Sequence, residues 1–141
     1  MPNRAAIGSS EQRFRHLERA LKSVVLRSLK ILGKDGFFLE IGLLGDPVMK
    51  GLNRRFRGRN KATNVLSFEA GSGFSTGASG LSYLGEIYLG PDYIERNGED
   101  IFYMTVHGLL HLLHYAHRKK SDNIKMRRLE ERLLRKLKSK H

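Results

Sequence analysis

From residue 14 onward, apolar side chains at Phe14, Leu17, Leu21, Val24, Val25 and Leu29 recur at intervals of three and four, with arginines and lysines between them. That period predicts an amphipathic helix, with Ser10 placed to cap its start and Gly33 to end it. Phe37, Leu39, Ile41 and Leu43 then alternate with other residues, the period of a strand. Asp46-Pro47 reads as the cap and first turn of a second helix whose inward positions are Val48, Met49, Leu52 and Phe56. Val65-Leu66-Ser67-Phe68 and Leu84 to Gly90 read as two further strands, joined through the small, polar stretch 70–80 as a hairpin connection or lid. Pro91 opens a short helix stopping at Asn97-Gly98, and another runs from about Glu99 to Leu113. A last helix begins near Ser121, with Ile124, Leu129, Leu133 and Leu137 inward and its cations outward. The pattern predicts a single small mixed domain of the α/β (α+β) class over residues 10–141: a short sheet of three to four strands packed with about five helices. A flexible leader is expected over residues 1–9.

A chain of 141 residues suits one domain with a real core. The absence of cysteine excludes disulfides and thiolate ligands, leaving histidine and carboxylate as the ligands for a transition metal. No apolar run approaches the roughly 18 residues of a membrane span, so a soluble cytoplasmic protein is expected.

Residues 107–117, His-Gly-Leu-Leu-His-Leu-Leu-His-Tyr-Ala-His, hold four of the six histidines. On a helix, His107 and His111 project from one face about 6 Å apart along the axis, close enough to share a metal ion. His114 lies about 10.5 Å of rise beyond His107, too far along a straight helix to reach the same ion. His117 becomes the better third ligand if the chain leaves the helix near His114. Leucines surround these histidines, and buried imidazoles without a partner are costly. Three neutral imidazoles leave a fourth position open and the ion its full charge, which suits phosphodiester chemistry; zinc is the expected ion, with nickel or another divalent ion able to occupy the same ligands. A zinc peptidase of the metzincin type carries a glutamate directly after the first histidine, where this chain has Gly108. Arg57 or Arg59, on the loop after the second helix, would supply the cation that holds a phosphate.

The net charge of +12 divides as +5 over residues 1–33, −1 over 34–117 and +8 over 118–141 (seven basic against two acidic, eight against nine, eleven against three). Basic ends around a nearly neutral centre suit a polyanion, nucleic acid above all, held across a central site.

Arg57-Gly58, Thr63 to Phe68, Leu84-Gly85-Glu86-Ile87 and the run from His107 through Tyr115 to His117 together resemble the YbeY family of metal-dependent endoribonucleases. The resemblance covers most of residues 36–137 and implies a zincin-like metal helix with ligands His107, His111 and His117. It also implies a required arginine at Arg57, so that Arg57 and His111 carry the catalytic roles. The expected activity is cleavage of single-stranded RNA in 16S ribosomal RNA 3′-end maturation and ribosome quality control, with the ribosomal small subunit as partner. Two other readings remain: an RNA-binding ribosome assembly factor with a structural metal, and a metallopeptidase, which Gly108 disfavours.

The chain departs from the family pattern at three places. His114 stands where the family usually has glycine, Ala116 where it has aspartate, and Ala62 where it has proline. Histidine is among the residues that tolerate a left-handed turn, so the turn is expected to survive with some strain. Loss of the aspartate removes a carboxylate from the surroundings of the ligands. Glu86, Ser67, Arg59 and His114 are the remaining candidates for supporting a ligand or touching the substrate, Glu86 on the expectation that its strand face looks towards the histidines.

Overall fold

The computed structural model describes residues 1–71, 80–115 and 120–139, with the side chains of 120–122 and 139 left aside. Four strands form one sheet in the order β1-β2-β4-β3: β1 (Arg4–Ser9), β2 (Phe37–Leu43), β3 (Val65–Glu69) and β4 (Ser82–Leu89). β1 and β4 both run parallel to β2, and β3 is an antiparallel edge strand beside β4. The 70–80 stretch therefore does join a hairpin, although 72–79 lie outside the described residues. Five α-helices accompany the sheet: α1 (Glu18–Ile31), α2 (Asp46–Arg57), α3 (Pro91–Arg96), α4 (Ile101–Leu112) and α5 (Lys120–Ser139). This is the single small α/β domain expected from the pattern.

α1 packs on β1, α4 packs on β3 and β4, and α5 lies against α1 and α4. One core cluster, with Leu21, Leu39, Ile87 and Leu109, fills the space between the sheet and the first two of these helices. A second, with Val24, Val106, Leu110, Met126 and Leu133, joins them to α5. α4 is buried between the two because Val106, Leu109, Leu110 and Leu112 serve both sides. Gly108 lets it approach the strands: a Cβ there would lie 2.9 Å from Ile87 Cγ2 and 3.1 Å from Val65 Cγ2.

Residues 1–9 are not a free leader. Arg4–Ser9 form β1, with Ala5 buried, because pairing with β2 satisfies a backbone whose small side chains carry little periodic signal. Ser10 does not cap α1; its hydroxyl accepts from the Gly45 N–H (3.0 Å), and a short 3-10 helix, Gln12–Leu17, intervenes. Two helical faces are also rotated from expectation. In α2, Met49 and Asn53 are buried whereas Val48 and Phe56 are exposed, because the Asn53 amide donates to the Lys61 carbonyl (2.8 Å) and anchors the loop that follows. In α5, Met126, Glu130, Leu133 and Leu137 face inward, whereas Ile124 is exposed. The Ser121 cap falls on a side chain outside those described.

Candidate active site

α4 starts where the Asp100 carboxylate accepts from the Phe102 N–H (2.9 Å), and two turns later it presents His107 and His111. Their Nε2 atoms lie 3.0 Å apart. Two nitrogens at about 2.1 Å from a tetrahedral ion would be roughly 3.4 Å apart, so the pair fits a shared zinc with a few tenths of an ångström of adjustment. Burial, and secondarily the neighbouring His107, lowers the pKa of His111 and favours the neutral ring that a metal requires. His117, the expected third ligand, lies outside the described residues, as does Ala116. Among the described residues no three ligating side chains converge.

The helix ends by a mechanism that accounts for the departure at residue 114. His114 has φ 66°, its N–H donates to the His111 carbonyl (3.0 Å), and the Tyr115 N–H donates to the Leu110 carbonyl (2.9 Å). This is a Schellman turn with histidine in the left-handed position usually taken by glycine. The chain is thus bent out of the helix three residues before His117. His114 itself is exposed, with Nδ1 3.3 Å from Glu69 Oε1, so it serves the turn rather than joining His107 and His111.

A cleft of about 340 Å³ opens beside edge strand β3, lined by Arg57, Ser67, Phe68, Glu69 and His111. α2 ends at Arg57 because Gly58 takes a left-handed conformation (φ 70°) and closes the helix. The Arg57 guanidinium reaches around the sheet edge, donating to the Ser67 carbonyl (3.1 Å) with its Cζ 5.0 Å above the Phe68 ring. Arg57 and His111 thus line the same cleft although 54 residues separate them in the chain. The Ser67 hydroxyl donates to the Gly108 carbonyl (3.0 Å), tying β3 to α4. Arg59 is exposed and is not among the residues lining the cleft.

Glu86 requires a correction. Its neighbour Ile87 faces Gly108 on α4, and strand alternation turns Glu86 to the opposite face of the sheet. There it accepts from the Tyr88 hydroxyl (2.8 Å) and lies beside Glu40 and Phe68 on the flanking strands. A position on the histidine side would need a register one residue away, which the burial of Ile87 and Leu89 forbids.

A different carboxylate meets the histidines. Glu130 on α5, 2% exposed, places Oε2 2.5 Å from His107 Nδ1, and its Oε1 accepts from the Tyr103 hydroxyl (2.5 Å). Burial, then the bond to Glu130, pushes the Tyr103 pKa up to about 12, so the phenol keeps the proton it donates. The inward stripe of α5 expected from the sequence, through Ile124 and Leu129, leaves Glu130 outside. The usable signal was an acid at helical spacing between Met126 and Leu133 on an otherwise cationic helix.

The family described as Endoribonuclease YbeY matches residues 4–138. The chain belongs to that family. It is 37% identical over 121 residues to the Endoribonuclease YbeY of Wolbachia sp. subsp. Drosophila simulans (strain wRi), covering 79% of this chain and 77% of the relative. It is 37% identical over 120 residues to that of Thermodesulfovibrio yellowstonii (77% and 74% covered), and 32% identical over 137 residues to that of Anaeromyxobacter sp. strain Fw109-5 (92% and 69%). The solution structure of TM1509 from Thermotoga maritima aligns with a TM-score of 0.49 at 21% identity, covering 99% of this chain and 93% of that one. Among the described residues, no helix is long and apolar enough to cross a membrane.

Proposed function

We propose that this chain is a zinc-dependent endoribonuclease that cuts single-stranded RNA in ribosomal RNA processing, at the 16S 3′ end, and takes part in ribosome quality control. The observation that carries the reading is the shared cleft of Arg57 and His111. His107, His111 and His117 would hold the ion, which would supply Lewis acidity towards a phosphate oxygen or a nucleophile. Arg57, held from one side by Ser67 and Phe68, presents a planar fork to the phosphate and neutralises the charge that builds up during cleavage. The strand is held by charge: Lys50, Arg54, Arg55, Arg57, Arg59 and Lys61 occur with no acid among residues 47–68, and Lys125, Arg128, Arg132 and Arg135 line the outer face of α5. Gly108 supports phosphodiester rather than peptide chemistry, because that position faces Ile87 and Val65 and leaves no room for a glutamate base.

The test is cleavage of an unstructured RNA oligonucleotide by the parent chain, His111→Ala and Arg57→Ala, with chelator and then added zinc. Loss in both variants, and loss with chelator reversed by zinc, supports the reading; equal cutting by both variants refutes it. RNA binding without cleavage by the parent would instead favour an assembly factor with a structural metal. A 2′,3′-cyclic phosphate end would identify the RNA 2′-hydroxyl as nucleophile, and a 3′-hydroxyl with a 5′-phosphate a water molecule.

A further inference from the structure

We propose that Glu130, clamped by Tyr103, is the positioning residue that fixes the tautomer and ring orientation of His107 and so makes its Nε2 a metal ligand. The inference rests on the metal-site reading above and adds to it a residue from a different helix, 23 positions further along the chain. Glu130 is the one buried acid among the described residues. Its neighbours on the inward stripe, Met126, Leu133 and Leu137, are apolar, and a leucine would pack there without the cost of desolvating a carboxylate. A core helix retains such a group when its partners repay that cost, and here both partners belong to the candidate site.

The chemistry of the contacts fixes the proton. A carboxylate oxygen only accepts, so the hydrogen between Glu130 Oε2 and His107 lies on Nδ1. In a neutral imidazole the other nitrogen then carries the lone pair, and that nitrogen is the Nε2 that faces His111 at 3.0 Å. The second oxygen prevents rotation of the carboxylate, because Oε1 is held by the Tyr103 hydroxyl (2.5 Å). Tyr103 also stacks against the His107 ring, with centroids 6.3 Å apart and planes 17° apart, so one residue restrains both partners of the bond. Tyr103 and His107 are one turn apart on α4 and Glu130 is on α5, which makes the docking of the two helices a condition for a ligand-ready histidine. This carboxylate answers the departure at Ala116, since support of a ligand reaches the site from α5.

Two measurements test the assignment. The first reads the His107 tautomer in the metal-free parent chain at neutral pH from its ring 15N shifts. The second titrates Zn2+ against a chromophoric chelator in the parent, Glu130→Leu, Glu130→Gln and Tyr103→Phe. A proton on Nδ1 is expected in the parent and its loss in Glu130→Leu, together with zinc affinity weaker by about 10- to 100-fold. Glu130→Gln should recover part of that affinity because its amide oxygen still accepts from Nδ1, and Tyr103→Phe should lose less than Glu130→Leu. A role confined to helix packing would lower thermal stability in Glu130→Leu and leave the tautomer and zinc affinity unchanged, which overturns the proposal. So does a parent whose His107 proton is on Nε2. If Glu130→Leu fails to fold, the parent tautomer and Glu130→Gln decide the matter. A parent that binds no zinc refutes the metal reading, while the 15N measurement still tests Glu130 by itself.

Discussion

Arg57 lies over Phe68, its guanidinium carbon 5.0 Å from the ring centroid, and this contact reaches from the end of α2 around the edge of the sheet. Stacking over Phe68 while one N–H bonds to the Ser67 carbonyl and the rest of the fork stays free for a phosphate depends on a planar guanidinium, which lysine does not provide. Arg57→Lys is therefore expected to lower RNA cleavage by about 10²-fold with little change in melting temperature, since the side chain is exposed. Steady-state kinetics beside a thermal melt check this; near-parental activity would remove Arg57 from the chemistry.

At His114 the backbone is left-handed (φ 66°), where a side chain costs about 1 kcal/mol or more and glycine does not. His114→Gly should raise the melting temperature by a few degrees despite losing the exposed contact with Glu69. His114→Val, β-branched in the same conformation, should lower it. The order Gly, His, Val in a calorimetric series is the expected outcome, and a glycine variant less stable than the parent would contradict the strain argument.

At Gly108, α4 packs closely against the strands. A methyl group there would meet Ile87 Cγ2, Val65 Cγ2 and Ser67 Oγ at 2.9, 3.1 and 3.2 Å. Gly108→Ala should destabilise by about 1–3 kcal/mol even though alanine favours helix, because overpacking outweighs propensity. Chemical denaturation measures the change; a stabilised variant would mean that the helix shifts freely on the sheet.

Arg13 donates to Asp92 through its two terminal guanidinium nitrogens, Nη1 and Nη2, fastening the 3-10 helix to α3. The hydrogen bond from Arg13 holds the Asp92 pKa below the ordinary carboxylate range, more than offsetting the opposing effect of burial. A group lowered on folding contributes stability above its unfolded pKa and loses it as pH falls through the folded value. Asp92→Asn should accordingly melt slightly below the parent at pH 7, with the gap closing in acid as the pH falls below the ordinary aspartate pKa of about 3.9 and through the lowered folded value. A gap that persists at low pH would assign the effect to packing.

The periodicity of the chain already contained the helices and strands from Glu18 to Leu89, the end of α1 at Gly33 and the two-turn approach to His107 and His111. Each of these depends on side-chain spacing that local sequence expresses directly. The turn at His114 was expected through the family resemblance, which has glycine at that position, and histidine tolerates the left-handed conformation the turn needs. What the tertiary structure alone decided depends on pairings between distant segments. β1 exists because β2 offers hydrogen bonds to a stretch of small residues. Glu86 faces away from the histidines because strand register, set by the burial of Ile87 and Leu89, assigns each side chain its face. Arg57 and His111 line one cleft because α2 ends at the edge of the sheet on which α4 rests, and Glu130 reaches His107 because α5 turns Met126 and Glu130, rather than Ile124, inward beside Leu133 and Leu137. Composition reveals that a chain carries a carboxylate and an imidazole; only the packing of two helices brings them to 2.5 Å.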